Sequence, residues 1–186
     1  MVLMENSDYT YEIIHLFDKF VTGLTTLVEN DKQLFFWRRN RIPVSHRLAL
    51  YLQNELLKDQ DQNMFVDMGL PILKEKGSLV ADIIFHDRNE EKKDSLMAII
   101  CRDRYLTESE LLDLHLLKIK GGCELPLALT ILPEKSYALI YRASNSSIDY
   151  YHYIYDLKNI SLLKKRAVEL SANAQRELKL PISVKQ

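Results

Sequence analysis

Asp82 stands early in an apolar run, Leu79-Val-Ala-Asp-Ile-Ile-Phe-His86, and the next such run, Ser95-Leu-Met-Ala-Ile-Ile-Cys-Arg102, closes on a cation. Metal-assisted cleavage of a phosphodiester needs two or more carboxylate oxygens converging on the ion, and a positive group near the attacking water or the developing phosphate charge. Strand side chains alternate, so Asp82 is expected to share a face with Val80 and Ile84, leaving Ala81 and Ile83 on the other. On the following strand Ile100 and Arg102 share one face, Cys101 and Asp103 the opposite one. A second group with chemical potential is Arg38, Arg39, Arg41 and Arg47, beside Phe35, Phe36 and Trp37. It reads either as a phosphate-tracking patch with stacking aromatics, or as core aromatics under a solvated arginine rim. His86 and His115 neighbour Asp87 and Asp113, but no second ligand at helical i, i+4 spacing supports metal binding; both read as structural or surface histidines. The five glycines form no phosphate loop, and no Gly-x-Ser-x-Gly elbow occurs.

The elements that must carry these residues follow from periodicity. Tyr9–Glu29 repeats Ile13, Ile14, Phe17, Phe20, Val21, Leu24 and Leu27 at a helical period. A second helix after Pro43 has Leu48, Leu52, Leu56 and Leu57 as its stripe, with Ser45 as N-cap. Asp59–Asn63 is a polar break; strands are expected over Met64–Ile72, Ser78–His86 and Ser95–Arg102, with Gly77 and the charged loop 87–94 as punctuation. Thr107-Glu-Ser-Glu110 is a capping-box pattern opening a helix to Lys120, stopped by Gly121-Gly122. Strands Leu125–Leu132 and Tyr137–Arg142 follow, then a tyrosine-rich strand at 148–157 and a helix Ile160–Leu178. A helix between the strands at 95–102 and 125–132 implies a right-handed crossover and a parallel pair within a mixed sheet. The fold class is therefore α/β, a mixed central sheet flanked by helices, in one domain with its core at about 40–142 and helical extensions at 8–30 and 159–178. Alternation sets Tyr151, Tyr153 and Tyr155 on one side of their strand, which favours a packed edge or a homodimer contact.

The chain has 186 residues, 25 basic and 26 acidic, for a net charge of −1. Nothing global draws it to nucleic acid or membrane, so such affinity must be local. Cys101 and Cys123 form no CxxC and read as buried thiols. No apolar run approaches the ~20 residues of a membrane span, and no signal peptide is expected. The expected location is cytoplasmic.

His46-Arg-Leu-Ala-Leu-Tyr-Leu52, Phe65-Val-Asp67 and Asp82-Ile-Ile-Phe-His86, in that order and spacing, resemble small bacterial members of the PD-(D/E)xK nuclease superfamily, the restriction-endonuclease-like fold. The apolar strand at 96–101, the helix after it and Ala138-Leu-Ile-Tyr-Arg142 match the same layout. The resemblance implies magnesium-dependent DNA hydrolysis, or a relic of it. By position Asp82 is its first metal ligand, the next ligand falls on Ile100, and the catalytic lysine on Arg102. Ile100 has no oxygen to offer a hard cation, and an arginine stays protonated, able to clamp phosphate but poor as a base. Where the family tends to carry a Glu before the His-Arg-Leu-Ala helix, this chain has Arg39, Asn40 and Arg41. A working Mg2+ site would need a relocated carboxylate from Glu55, Asp67, Glu108 or Glu110. The expectation is a catalytically degenerate nuclease fold that binds nucleic acid through Arg38, Arg39, Arg41 and Arg47, with an active magnesium-dependent endonuclease as the alternative. Arg41-x4-His46 also fits the spacing of HEPN-type ribonucleases, an all-helical fold at odds with the strand-like runs that follow.

Overall fold

The computed structural model describes residues 5–56, 58, 64–71, 80–88 and 95–168, with side chains from 13 onward. Seven strands form one sheet in chain order: β1 (Phe65–Pro71), β2 (Val80–His86), β3 (Ser95–Arg102), β4 (Cys123–Ile131), β5 (Tyr137–Ala143), β6 (Ser147–Ile154) and β7 (Asn159–Ala167). Helices α1 (Glu5–Asp31) and α2 (Arg41–Leu56), joined by a 3-10 turn over Lys32–Phe36, cover one face; α3 (Glu108–Ile119) covers the other. Every neighbouring pair is antiparallel except β3 and β4, which run parallel around the α3 crossover. This is the α/β architecture that the periodicities call for. Leu57 and residues 59–63, 72–79, 89–94 and 169–178 lie outside the described residues.

Phe17, Phe20, Leu24 and Leu27 of α1 meet Leu48, Leu52 and Leu56 of α2 in one core, over Ile83, Phe85, Ile99, Leu127 and Ile140 of the sheet. Gly23 lets α1 sit close against α2, since a Cβ there would lie 2.8 Å from Leu52 Cδ2. Ile14 of the expected stripe is exposed. The second core packs Leu111, Leu114 and Leu117 of α3 on Ala98, Ile100 and Ala128. The capping box of α3 is present, Glu110 N donating to Thr107 Oγ1 and Thr107 N to Glu110 Oε2. Among the described residues no helix is long and apolar enough to cross a membrane.

Three expectations are corrected. Residues 159–167 form an edge strand rather than the start of a helix. A turn at Tyr155–Lys158, closed by Lys158 N donating to Tyr155 O, returns the chain along β6, and the ladder outweighs the helical propensity of Leu162–Ala167. Ser45 is no N-cap: α2 opens two residues before Pro43, and Ser45 is a buried helical residue donating to Ile42 O. Strict alternation also fails at Asp82. Ile83 packs under α1 and α2 whereas Ala81 packs under α3, although both should face the same way. The break lies opposite Gly69, which has φ 68, between the pairs Met68↔Ile83 and Leu70↔Ala81.

Candidate functional site

Parallel pairing brings the C-terminal ends of β3 and β4 to the same end of the sheet, and the N-termini of α2 and α3 come to it from opposite faces. Clefts for ligands in sheets with parallel strands form at such ends. Here the alternation break turns Asp82 toward β3 and the start of α2. Its Oδ1 accepts from Arg41 Nε at 3.0 Å and Nη2 at 2.8 Å; Oδ2 accepts from the backbone N–H of Cys101 at 2.8 Å and, at 3.4 Å, from Arg102 Nη1. The carboxylate thus takes the N–H of Cys101 just where the β2–β3 ladder ends at Ile83↔Ile99.

Arg102 continues the network. Its Nε donates to Glu110 Oε1 at 2.7 Å and its Nη1 to Cys101 O at 2.7 Å. Arg104 binds both oxygens of Glu110, at 2.8 and 3.0 Å. Burial disfavours the Glu110 carboxylate, but Arg104, the Thr107 amide and Arg102 together hold it down at about 2. Burial, reinforced by the Asp82 charge, pushes the Cys101 thiol far up, and burial raises Cys123 to about 11, so both free cysteines are inert thiols. The hub holds three guanidiniums against two carboxylates, an excess of one positive charge.

Of the carboxylates expected to complete a metal site, Glu110 joins Asp82 in this hub through Arg102, while Glu55, Asp67 and Glu108 are held elsewhere. Glu55 pairs with Lys58 near the C-terminus of α2, 14 positions beyond Arg41 and so roughly 20 Å along the helix at ~1.5 Å per residue. Asp67 is bound by Arg88 and His86, which hold its carboxyl at about 2 against the cost of burial. Glu108 pairs with Arg166 of β7, which lowers its pKa. Ile100, at the family's second ligand position, is buried in the α3 core. Among the described residues no three His, Cys, Asp or Glu side chains come together as ligands. The donor set does not fit a hard dication: all four oxygens of Asp82 and Glu110 already accept from guanidinium or amide groups, and three guanidiniums would repel it.

The arginine-rich segment divides in two. Arg41 belongs to Asp82, and Arg47 to Asp31 and Tyr51. Arg38 and Arg39 are exposed on the bend between the 3-10 turn and α2, where Arg39 takes φ 59. Phe35 is core, its ring tilted against Tyr155 with centroids 4.9 Å apart, whereas Phe36 and Trp37 are exposed. Buried Asn40 pins this bend, its Nδ2 donating to Phe35 O at 3.2 Å and more weakly to Ile131 O at 3.4 Å at the end of β4. Asn40 had no role in the sequence reading beyond a departure from the family pattern. Phe36 and Arg38 then line a cleft of about 450 Å³ with Tyr105, Leu132, Pro133, Glu134 and Lys135. Tyr105 and Lys135 lie far from the arginines in sequence, and no motif marks them. The expected tyrosine row turns inward: Tyr151 packs on Phe17, Tyr153 is buried with its hydroxyl on Thr25 Oγ1, and Tyr155 is buried on Phe35. The strand that carries it is interior, flanked by β5 and β7.

Comparison of the chain with family models, curated proteins and solved structures finds no match.

Proposed function

We propose that this chain is a restriction-endonuclease-like domain that binds nucleic acid without cutting it. The observation that carries the reading is the state of Asp82, the residue the family resemblance makes a metal ligand. Both of its oxygens are held by Arg41, Arg102 and the Cys101 amide, so fixed protein cations stand beside the carboxylate in place of an exchangeable one. Support for the family reading comes from the order of elements. An α-helix precedes an antiparallel trio, Asp82 lies on its middle strand at the point where pairing with the third lapses, and a helical crossover leads to a parallel neighbour. Support for nucleic-acid binding comes from Arg38 and Arg39, exposed beside exposed aromatics at the same end of the sheet.

The test pairs a cleavage assay with a binding assay. Purified protein and an Asp82→Ala variant are incubated with linear and supercoiled DNA in magnesium or manganese, and binding is followed by fluorescence anisotropy across a salt series. Retention of intact DNA with a salt-dependent affinity is expected. Cleavage that vanishes in the variant, with near-ultraviolet circular dichroism showing the variant still folded, would establish the competing reading, an active magnesium-dependent endonuclease with a relocated carboxylate. Neither binding nor cleavage would remove both.

A further inference from the structure

We infer that the cleft between the 36–38 bend and the 132–135 turn takes an unstacked, single-stranded nucleic acid, its bases on Phe36, Trp37 and Tyr105 and its phosphates on Arg38, Arg39 and Lys135. The inference rests on the nucleic-acid reading above and narrows it to a class of strand.

Two independent selections converge on this place. The first is aromatic exposure. Phe36, Trp37 and Tyr105 are 56, 54 and 53% exposed, and they are the exposed aromatic residues among the large hydrophobic side chains described. Phe36 and Tyr105 line one cleft, and Trp37 adjoins Phe36 in the chain. Exposing large rings is unfavourable unless a ligand covers them, and a nucleobase offers a flat π-face of the right kind.

The second is charge. Among the described arginines, Arg41, Arg47, Arg88, Arg102, Arg104, Arg142 and Arg166 each pair with a carboxylate. Arg38 and Arg39 are the two that make no ion pair among the described residues, and Lys135 on the opposite wall makes none either. Lys120 and Lys164 make no ion pair among the described residues either, but the two arginines without a carboxylate both stand beside the uncovered rings. Glu134 is the one carboxylate on the lining, and Arg38 and Lys135 outweigh it, so the cleft keeps a net positive charge for phosphates. The cleft volume of about 450 Å³ falls within the ~300–1,000 Å³ of small-ligand sites. A duplex keeps its bases stacked inside and would present only phosphate to these rings, which is why the rings point to a single strand.

Trp37 is the chain's only tryptophan and sits between the lining residues Phe36 and Arg38, so its fluorescence reports on this bend. The full chain is titrated with a single-stranded oligonucleotide, the same sequence as a duplex, and an abasic oligomer of equal length. The single strand should quench Trp37 and bind roughly ten-fold more tightly than either control, as one or two stacked bases would give. Phe36→Ala and Tyr105→Ala should each weaken single-strand binding about ten-fold, while Arg38→Ala should lower the slope of log affinity against log salt by about 1. These side chains are more than half exposed or unpaired, so the variants should fold; near-ultraviolet circular dichroism checks it. Equal binding of abasic and natural strands, or duplex binding as tight as single-strand binding, would overturn the stacking site and leave nucleic-acid binding standing. Failure of all three to bind would overturn both.

Discussion

Two groups of cations lie at the same end of the sheet, and the fold treats them in opposite ways. Arg41, Arg102 and Arg104 are closed in on Asp82 and Glu110, with each carboxylate oxygen answered by a donor. Arg38, Arg39 and Lys135 stand outside that network, beside three exposed rings, with no carboxylate partner among the described residues. A polar cluster whose groups satisfy one another has little left to offer a ligand and acts mainly as structure. Groups left unsatisfied at the surface keep their hydrogen-bonding and stacking capacity for something else. Residue type alone misleads here: the carboxylate that resembles a metal ligand belongs to the closed cluster, and the plain rim residues belong to the open one.

The comparison breaks most readily at Asp82. Asp82→Ala leaves the Cys101 amide and half-exposed Arg41 without their acceptor and takes the weakest of three from Arg102, and should cost about 2–3 kcal/mol in urea unfolding. A loss within experimental error would mean that the hub is not structural. Acid should act next. Glu110 is held at about 2 from an ordinary 4.5, and Asp67 at about 2 from 3.8. Both pKa values are depressed in the folded state, so the stability they give is complete above about pH 5 and is lost as pH falls toward 2. Glu110 alone should account for on the order of 2 kcal/mol once partial solvent contact is allowed for, and Glu110→Gln should flatten that part of the pH–stability curve.

Asn40 joins the two regions and sharpens the contrast. Asn40→Ala removes its bonds to Phe35 O and Ile131 O and should cost about 1 kcal/mol in stability. The same variant should broaden the response of Trp37 to an oligonucleotide, because the bend would no longer be pinned to β4. The smallest effect belongs to the rim. Arg38→Ala and Arg39→Ala should change stability by less than about 0.5 kcal/mol while lowering the salt dependence of binding. A rim variant that unfolds the protein would erase the distinction between the regions.

The helix–strand order as far as β6 was legible because apolar residues repeat at 3.6 along α1 and α2 and run unbroken over the short length of β3, and because Thr107 and Glu110 announce the start of α3. The hairpin from β6 to β7 was not, since Leu162-Leu163-Lys-Lys-Arg suits a helix as well as a strand, and only a neighbouring strand decides between them. Phe35, Phe36 and Trp37 were visible as a group, but which ring is core and which is exposed depends on where the 3-10 turn sits against Tyr155.

By itself the sequence determined a mixed α/β sheet with a parallel pair, an aspartate early in one apolar run with an arginine closing the next, and a basic segment laced with aromatics. These are properties of local period and chemical type. Tertiary structure decided that Asp82 faces arginines rather than carboxylates, because Gly69 breaks the alternation and α2 begins at Arg41. It also decided that Tyr105 and Lys135, some 65 to 100 positions from Phe36 and Arg38, share a cleft with them. Local sequence sets what each side chain can do; the pairing of distant strand ends sets which of them can act together.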